Sequence, residues 1–222
     1  MTPPPSKAQR PSTREPVTRE RALATALALA DAEGIDAVTM RRVASELGIE
    51  AMSLYHHVAS KGDILDGIVD LVMAEIEVPP TGTDWKTAMR HRAHSAHQVL
   101  LAHPWAATLA TSRVNIGIGM SRYLEATFGR LIEGGFSVTG ALDAWHALDS
   151  HIYGFTLQEL TLPFDASQSQ QVSAAALESF DPAQFPYVVQ IMVEVAESGR
   201  VEDFDFGLEL LLDGLERQLN AA

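Results

Sequence analysis

The sequence contains no cysteine, and it has no apolar run near the roughly 20 residues that a membrane-spanning helix needs. The lack of cysteine excludes disulfide frameworks, thiolate catalysis and cysteine metal sites, and it is compatible with a reducing compartment. The N-terminus lacks the apolar segment of a secretory signal, so we expect a cytoplasmic protein. With 222 residues, of which 46 % are hydrophobic and 20 % charged, the chain can form a sizeable folded core.

Catalytic signatures are missing as well. The sequence has no G-x-S-x-G, no H-E-x-x-H, no phosphate-binding loop and no dinucleotide-binding glycine pattern. Serine, histidine and aspartate residues scattered over helices do not form a catalytic triad unless the fold brings them together. We therefore expect no enzymatic activity and no cofactor.

Positive charge is scarce in the chain as a whole, but it is unevenly distributed. The net charge is −13, which would disfavour binding to nucleic acid if the charges were spread evenly. Residues 1–62, however, hold eight basic and seven acidic residues, whereas residues 63–222 hold eight basic and 22 acidic ones. This asymmetry predicts a small part that tolerates a polyanion and a larger part that repels it.

The apolar residues recur at helical spacing, and no segment shows the sustained alternation that is typical of a strand. We therefore predict an all-α fold with three parts: a disordered, proline-rich arm over 1–17, a head over 18–62 and a larger domain over 63–222. A mobile connection with a short helical piece is expected over 165–179. Capping residues, glycines and prolines predict helices over 19–33, 40–47, 51–58, 61–77, 84–101, 104–111, 116–133, 139–161, 182–197 and 205–219.

The segment 39–58 has the layout of a helix-turn-helix. Thr39 caps a short helix, Gly48 ends that helix, and a second short helix starts near Ala51. Such a motif needs the second helix to bury one face against its neighbours while the opposite face remains free to enter the major groove of DNA.

The second helix meets this requirement on a helical wheel. Leu54 and Val58 lie on one side, so they are expected to anchor the helix in the head. Tyr55 lies at the flank, where its phenol could reach a phosphate. The opposite side, which is expected to face outward, carries Met52, Ser53, His56 and His57.

Residues 39–61, with Leu54-Tyr55, His57-Val58 and Lys61, resemble the DNA-binding region of the TetR family of bacterial repressors. The helix that follows is similar as well, and residues 85–154 resemble the ligand-binding domain of the tetracycline-repressor subgroup. The resemblance implies a three-helix DNA-binding head, linked by a fourth helix to a larger ligand-binding and dimerisation domain. It also implies a homodimer that binds a palindromic operator in double-stranded DNA and is released by a small-molecule inducer.

The resemblance also implies a set of DNA-contacting residues. Arg41 would contact a base or a phosphate, and Ala51, Met52 and Ser53 would read base edges. Because Ala51 and Met52 are apolar, we expect them to contact thymine methyl groups. Phosphate contacts, which fix the register on the duplex, are implied for Tyr55, His56, His57 and Lys61.

Two further side chains of this segment have competing interpretations. Arg42 is expected to face solvent or an acidic partner rather than a base. His57 could instead pack against the first helix of the motif. A helical adaptor that binds a protein and has no affinity for DNA is the alternative function for the whole chain, and it predicts no salt-dependent binding to DNA.

In the larger domain, the resemblance implies a ligand cavity. Ordinary core packing is the alternative for the apolar members Leu124, Phe128 and Trp145. In the tetracycline repressor, a histidine of the short sixth helix holds the drug-bound magnesium ion, and Ala110 occupies that position here, so a tetracycline–magnesium complex is not the expected effector. The residues implied for the cavity are Arg92, Ala96, Leu124, Thr127, Phe128, Leu142, Trp145 and Asp149.

The helices near 139–161 and 205–219 are the predicted dimer interface, with two helices from each protomer. On the first of them, a stripe of Ala144, Leu148, His151 and Phe155 could face the partner. The second carries a broad leucine stripe, for which core packing within one protomer is the alternative: Leu208, Leu211, Leu212, Leu215 and Leu219.

The histidine series His91, His94 and His97 superficially suggests a metal site. Residues spaced by three spread over about 120° of the helix surface, so the three side chains do not converge easily on one ion. We therefore expect structural histidines and no metal.

Overall fold

The computed structural model describes residues 16–113, 117–162, 168–199 and 203–221. The described residues form helices and connecting turns and contain no strand, which confirms the predicted all-α fold. The chain divides into two compact units between Ile68 and Val69. The arm predicted over 1–17 lies outside the described residues except for its last two positions. In the described ranges, none of the helices combines the length and apolar character needed to cross a membrane.

The first unit is a helical head. Its helices are α1 (Arg19–Glu33), a short 3-10 turn (Ile35–Ala37), α2 (Met40–Leu47), α3 (Ala51–Leu54) and the first half of α4 (Lys61–Glu75).

The second unit begins within α4 and contains the remaining helices. These are α5 (Trp85–Ala102), α6 (Pro104–Ser112), α7 (Ile118–Glu133), α8 (Val138–Thr161), α9 (Ser169–Leu177), α10 (Pro186–Ser198) and α11 (Phe204–Ala221).

The predicted caps of the head are confirmed. Thr18 Oγ1 accepts a hydrogen bond from the amide of Arg21 at 3.2 Å, and Thr39 Oγ1 accepts one from the amide of Arg42 at 3.1 Å. An ion pair joins the N-terminal ends of α1 and α4, since both terminal nitrogens of the Arg19 guanidinium donate to the carboxylate of Asp63, at 2.7 and 2.6 Å. These contacts hold the helices that support the helix-turn-helix.

Two helix boundaries differ from the predictions by three residues or more. The third helix ends at Leu54 instead of continuing to about Val58. The tenth begins at Pro186, not at Pro182. The second difference has a local cause, because the carbonyl of Asp181 accepts the amides of Gln184 and Phe185 and so forms a turn where the helix was expected.

The core of the second unit lies around α5, which packs against α6, α7, α8 and α11. The carboxylate of Asp70 on α4 accepts the amides of Gly119 and Met120 at the start of α7, at 3.0 and 2.8 Å. A Cβ at Gly119 would lie 2.3 Å from the backbone carbonyl oxygen of Asp70. The close approach of α7 to α4 therefore requires glycine at this position.

The stripe on α8 that was predicted to meet a partner protomer packs within its own protomer instead. Ala144 and Leu148 are fully buried. The rings of His151 and Phe155 lie 4.9 and 5.3 Å from the ring of Phe204. The reason is that α11 of the same chain covers this side of α8.

Part of the leucine stripe of α11 also packs within its own protomer. Leu208 and Leu212 are fully buried in the protomer, so core packing, the alternative interpretation, holds for these two. The large apolar side chains that α11 exposes are Phe206 and Leu210, at 59 % and 57 %.

Candidate DNA-reading surface and effector site

A tight glycine turn positions the third helix on the head. Gly48 adopts the left-handed conformation, with φ 68° and ψ 35°, which favours glycine. The amide of Ile49 returns to the carbonyl of Ala44 at 3.0 Å, so the end of α2 is closed by backbone hydrogen bonds. Leu54 and Val58 then bury in the head, at 0 % and 1 % exposure, as the helical wheel predicted.

Residues 51–57, which we call the recognition segment, form one helical turn followed by a tight turn. Past the end of α3, the amides of His56 and His57 bond three residues back, to Ser53 and Leu54, at 3.2 and 2.9 Å, and the amide of Val58 bonds four residues back, to Leu54, at 3.1 Å. Tyr55 keeps a right-handed helical backbone but lies past the end of α3. Met52 and Ser53 therefore lie on the helix, whereas Tyr55, His56 and His57 lie on the turn.

The outer side of this segment is open and partly apolar. Met52 is 75 % exposed and Tyr55 is 48 % exposed. Ser53 and His56 are exposed, while Ala51 and His57 are half-buried. Large apolar side chains exposed side by side on a small head are characteristic of a binding surface.

The cations of the head fall into two groups. Arg42 bonds to Glu33 and to Glu46, both at 2.7 Å, and these carboxylates raise its pKa. The expectation that Arg42 has acidic partners is thus confirmed. Arg41 and Lys61 are exposed, and neither forms an ion pair within the described part of the chain, so both remain available to a phosphate.

In the second unit, a buried arginine forms the centre of a polar cluster. The side chain of Arg92 on α5 is completely buried. Its Nη2 donates to the hydroxyl oxygen of Tyr123 on α7 and to Oδ1 of Asp149 on α8. We call Arg92, Tyr123, Trp145 and Asp149 the arginine cluster.

Burial determines how the members of the arginine cluster titrate. Burial alone would lower the pKa of Arg92, but Tyr123 and Asp149 outweigh that effect and raise it, so the guanidinium stays charged. Burial raises the pKa of Tyr123 above its ordinary value, and the phenol stays neutral. Burial also raises the pKa of Asp149, an effect that the charge of Arg92 opposes.

Several donors of the arginine cluster have no partner. Nε and Nη1 of Arg92 and Nε1 of Trp145 are buried without a hydrogen bond. The indole of Trp145 lies near enough to Asp149 to favour its charged form, yet its N–H does not reach hydrogen-bonding geometry. The ring of Trp145 meets the ring of Phe128 edge to face at 5.5 Å.

The structure brings together most of the residues that the resemblance implied for a cavity. Ala96 and Thr127 are buried, and the hydroxyl of Thr127 donates to the carbonyl of Tyr123 at 2.8 Å. Leu124, Phe128 and Trp145 are half-buried.

Leu142 is more exposed than the rest of this group, at 42 %. Its place in a ligand site stays a prediction.

Tyr123 is a member of the site that sequence reasoning missed, although it directly precedes the predicted Leu124. It also lines a groove of about 370 Å³ between α4 and α7. None of the eight residues predicted for the cavity lines that groove. The groove also contains Asp70, Met73, Ile76, Arg122 and Ala126.

The three histidines of α5 that were considered as metal ligands each contact a different partner. His91 lies 3.0 Å from Glu77, His94 lies 3.1 Å from Asp205, and His97 lies 2.9 Å from the hydroxyl of Thr156. Burial lowers the pKa of His97. Among the described residues, no group of three metal-ligating side chains is placed to hold an ion.

Two family models match the sequence. The model for bacterial regulatory proteins of the tetR family matches residues 22–68, and the model for the tetracyclin repressor-like, C-terminal domain matches residues 78–219. The second match alone covers more than half of the chain. The chain belongs to the TetR family.

Similar proteins and structures agree with this assignment. The HTH-type transcriptional repressor DrrR1 of Streptomyces coeruleorubidus is 29 % identical, over 96 % of this chain and 80 % of its own length. The class D tetracycline repressor protein of Escherichia coli is 30 % identical, over 92 % of each chain. The crystal structure of apo ActR from Streptomyces coelicolor is 30 % identical, with a TM-score of 0.79, and covers 93 % of this chain and 99 % of its own.

A second ActR structure contains a small molecule. ActR in complex with (S)-DNPA is 31 % identical to this TetR-family chain, with a TM-score of 0.78, and covers 91 % of this chain and 98 % of its own. The function predicted from the sequence, a ligand-responsive DNA-binding transcriptional repressor, is confirmed by the family and its members. The adaptor alternative is not favoured.

Proposed function

We propose that this TetR-family repressor binds a palindromic operator as a homodimer through the exposed side of α3, and releases it when a small molecule enters the arginine cluster. The observation that carries the DNA-binding part is the contrast between two adjacent arginines of α2. Arg42 is held by two carboxylates, whereas Arg41 is exposed and forms no ion pair among the residues that the structure describes.

We assign base contacts to Ala51, Met52 and Ser53, with Arg41 contacting a base or a phosphate. The exposed thioether of Met52 suits a thymine methyl group. We assign phosphate contacts to Tyr55, His56, His57 and Lys61, which lie on the turn after α3 and at the start of α4.

Salt dependence tests these assignments. Footprinting on the DNA upstream of the gene first locates the operator, and fluorescence anisotropy then gives its affinity at several salt concentrations. We expect log K to fall with log salt by several units, and Arg41→Ala and Lys61→Ala each to reduce that slope by about 1. Arg42→Ala is the matched control and should leave the slope unchanged, because Glu33 and Glu46 already occupy this side chain. No salt-dependent binding, or a slope that changes only with Arg42, would contradict the proposal.

Single variants test the two histidines separately. His56→Gln and His57→Gln each remove an imidazole that is proposed to contact a phosphate, so we expect each to weaken operator binding severalfold in the anisotropy assay. Unchanged affinity in both variants would exclude the proposed role of His56 and His57.

The proposed dimer would use the outer sides of α8 and α11. In the protomer, Phe206 and Leu210 are more than half exposed. The hairpin of α9 and α10 packs chiefly on itself, and α10 buries none of its residues while Tyr187 and Ile191 are 81 % and 65 % exposed. Apolar surface of this extent is typical of a chain that associates with a second copy.

For the effector site, we propose the space around the arginine cluster and the half-buried aromatic residues Phe128 and Trp145. A mostly apolar lining with a few buried polar groups is typical of small-molecule sites. The structure of ActR in complex with (S)-DNPA, which is similar to this one, supports a small-molecule effector for this chain. Screening compounds for release of the footprinted operator tests this assignment.

A further inference from the structure

The polar atoms left unpaired in the arginine cluster are all donors. Arg92 has free N–H groups on Nε and Nη1, and Trp145 has a free N–H on its indole. Nearly all buried polar groups in folded proteins have a hydrogen-bond partner, so a cluster of unpaired donors calls for an explanation. Two of these donors belong to one charged guanidinium, and such donors are satisfied by an acceptor oxygen, best by an anionic one.

We propose that the effector of this repressor is an aromatic molecule with a negatively charged oxygen, a carboxylate or a phenolate, which binds the guanidinium of Arg92 and the indole N–H of Trp145. This inference rests on the proposed effector site and names the chemical class that the site selects.

The free donors of the guanidinium favour an anion over a neutral ligand or a cation. Arg92 is completely buried, and within the described residues its one carboxylate partner, Asp149, bonds to Nη2 and leaves Nε and Nη1 unpaired. An anionic oxygen can accept from these charged N–H groups, whereas a cation would meet the guanidinium directly.

The surroundings favour an aromatic body. Phe128 and Trp145 stand edge to face at 5.5 Å, and both side chains are only half-buried. A planar ring attached to the acidic group can stack against these rings, since aromatic pairs favour offset and edge-to-face contacts.

Two matched probes test the charge requirement. Isothermal titration of the full-length protein without DNA compares 2-naphthoate with 2-naphthamide, which have the same ring system and nearly the same shape. We expect 2-naphthoate to bind at least tenfold more tightly. Equal affinities, or no binding of 2-naphthoate up to about 5 mM, would overturn the proposal.

Variants test whether 2-naphthoate binds at the arginine cluster. Trp145→Phe keeps a ring beside Phe128 but removes the N–H, and we expect it to weaken 2-naphthoate binding about tenfold. Arg92→Gln should abolish the preference for 2-naphthoate over the amide. Arg90→Gln is the control, because Arg90 lies on the same helix and bonds to Glu209 on α11. A 2-naphthoate affinity that is the same in Trp145→Phe and Arg92→Gln as in the wild type contradicts the assignment.

The direction in which one further variant changes the affinity for 2-naphthoate distinguishes recognition of the ligand's charge from a purely structural role of the arginine cluster. Asp149→Asn removes the negative charge that competes for Arg92, so we expect 2-naphthoate to bind several times more tightly and 2-naphthamide to be unaffected. Weaker binding of 2-naphthoate to this variant would contradict the proposal. The titrations contain no operator, and operator binding is measured separately, so a failed anion preference leaves DNA binding intact and can be told apart from a failure of the repressor function.

Discussion

Asp149→Ala is expected to lower the free energy of unfolding by about 3 to 5 kcal/mol, because removing one partner of a buried ion pair leaves the other charge without compensation. Arg92 is completely buried, and Asp149 is the only carboxylate that it bonds to within the described residues. The phenol of Tyr123 would remain as an acceptor, but it carries no charge.

Urea unfolding followed by circular dichroism measures this loss. Asp143→Ala is the matched control, since Asp143 lies on the same helix, is exposed and forms no ion pair in the described structure. We expect the control to change the stability by no more than about 0.5 kcal/mol. A loss below about 1 kcal/mol for Asp149→Ala would show that Asp149 does not balance the charge of Arg92.

The double variant Phe206→Glu, Leu210→Glu is expected to convert the proposed dimer to monomers and to weaken operator binding about 100-fold. Two linked recognition helices bind far more tightly than one, because the second binds as an intramolecular event. In the protomer both side chains are more than half exposed, so acidic replacements disturb little of the core.

Size-exclusion chromatography with light scattering reports the mass, and anisotropy reports the affinity for the footprinted operator. Ile132→Glu serves as the control, because Ile132 is 46 % exposed but lies on α7, outside the proposed interface. If the double variant remains a dimer with full affinity, the interface lies elsewhere on the chain.

Local features of the sequence were enough to predict the head. Thr18, Thr39 and Gly48 act through bonds to residues a few positions away, and the structure has α1 and α2 with the predicted bounds. Helical periodicity also predicted the burial of Leu54 and Val58, although Val58 lies beyond the end of α3. The end of α3 at Leu54 was missed because the three-residue hydrogen bonds of His56 and His57 have no distinct signal in the composition.

The larger domain was predicted less completely, because its side chains are placed by neighbours distant in sequence. The outward side of α8 depends on where α11 packs, and no local pattern showed that α11 would cover His151 and Phe155. Arg92 on α5 donates hydrogen bonds to Tyr123 on α7 and to Asp149 on α8, so these contacts depend on how three helices pack together. The resemblance placed Arg92 and Asp149 near each other but gave no indication of Tyr123.

The two carboxylates that hold Arg42 have a consequence for how the repressor is distributed in a cell. Binding of proteins to arbitrary stretches of the chromosome depends on the number of cations that neutralise phosphates, and random sites outnumber an operator by a factor of about a million or more. With Arg42 occupied by Glu33 and Glu46, the head has one mobile cation fewer for such encounters. A smaller share of the molecules is then retained on unrelated DNA, so fewer copies are needed to keep one promoter occupied.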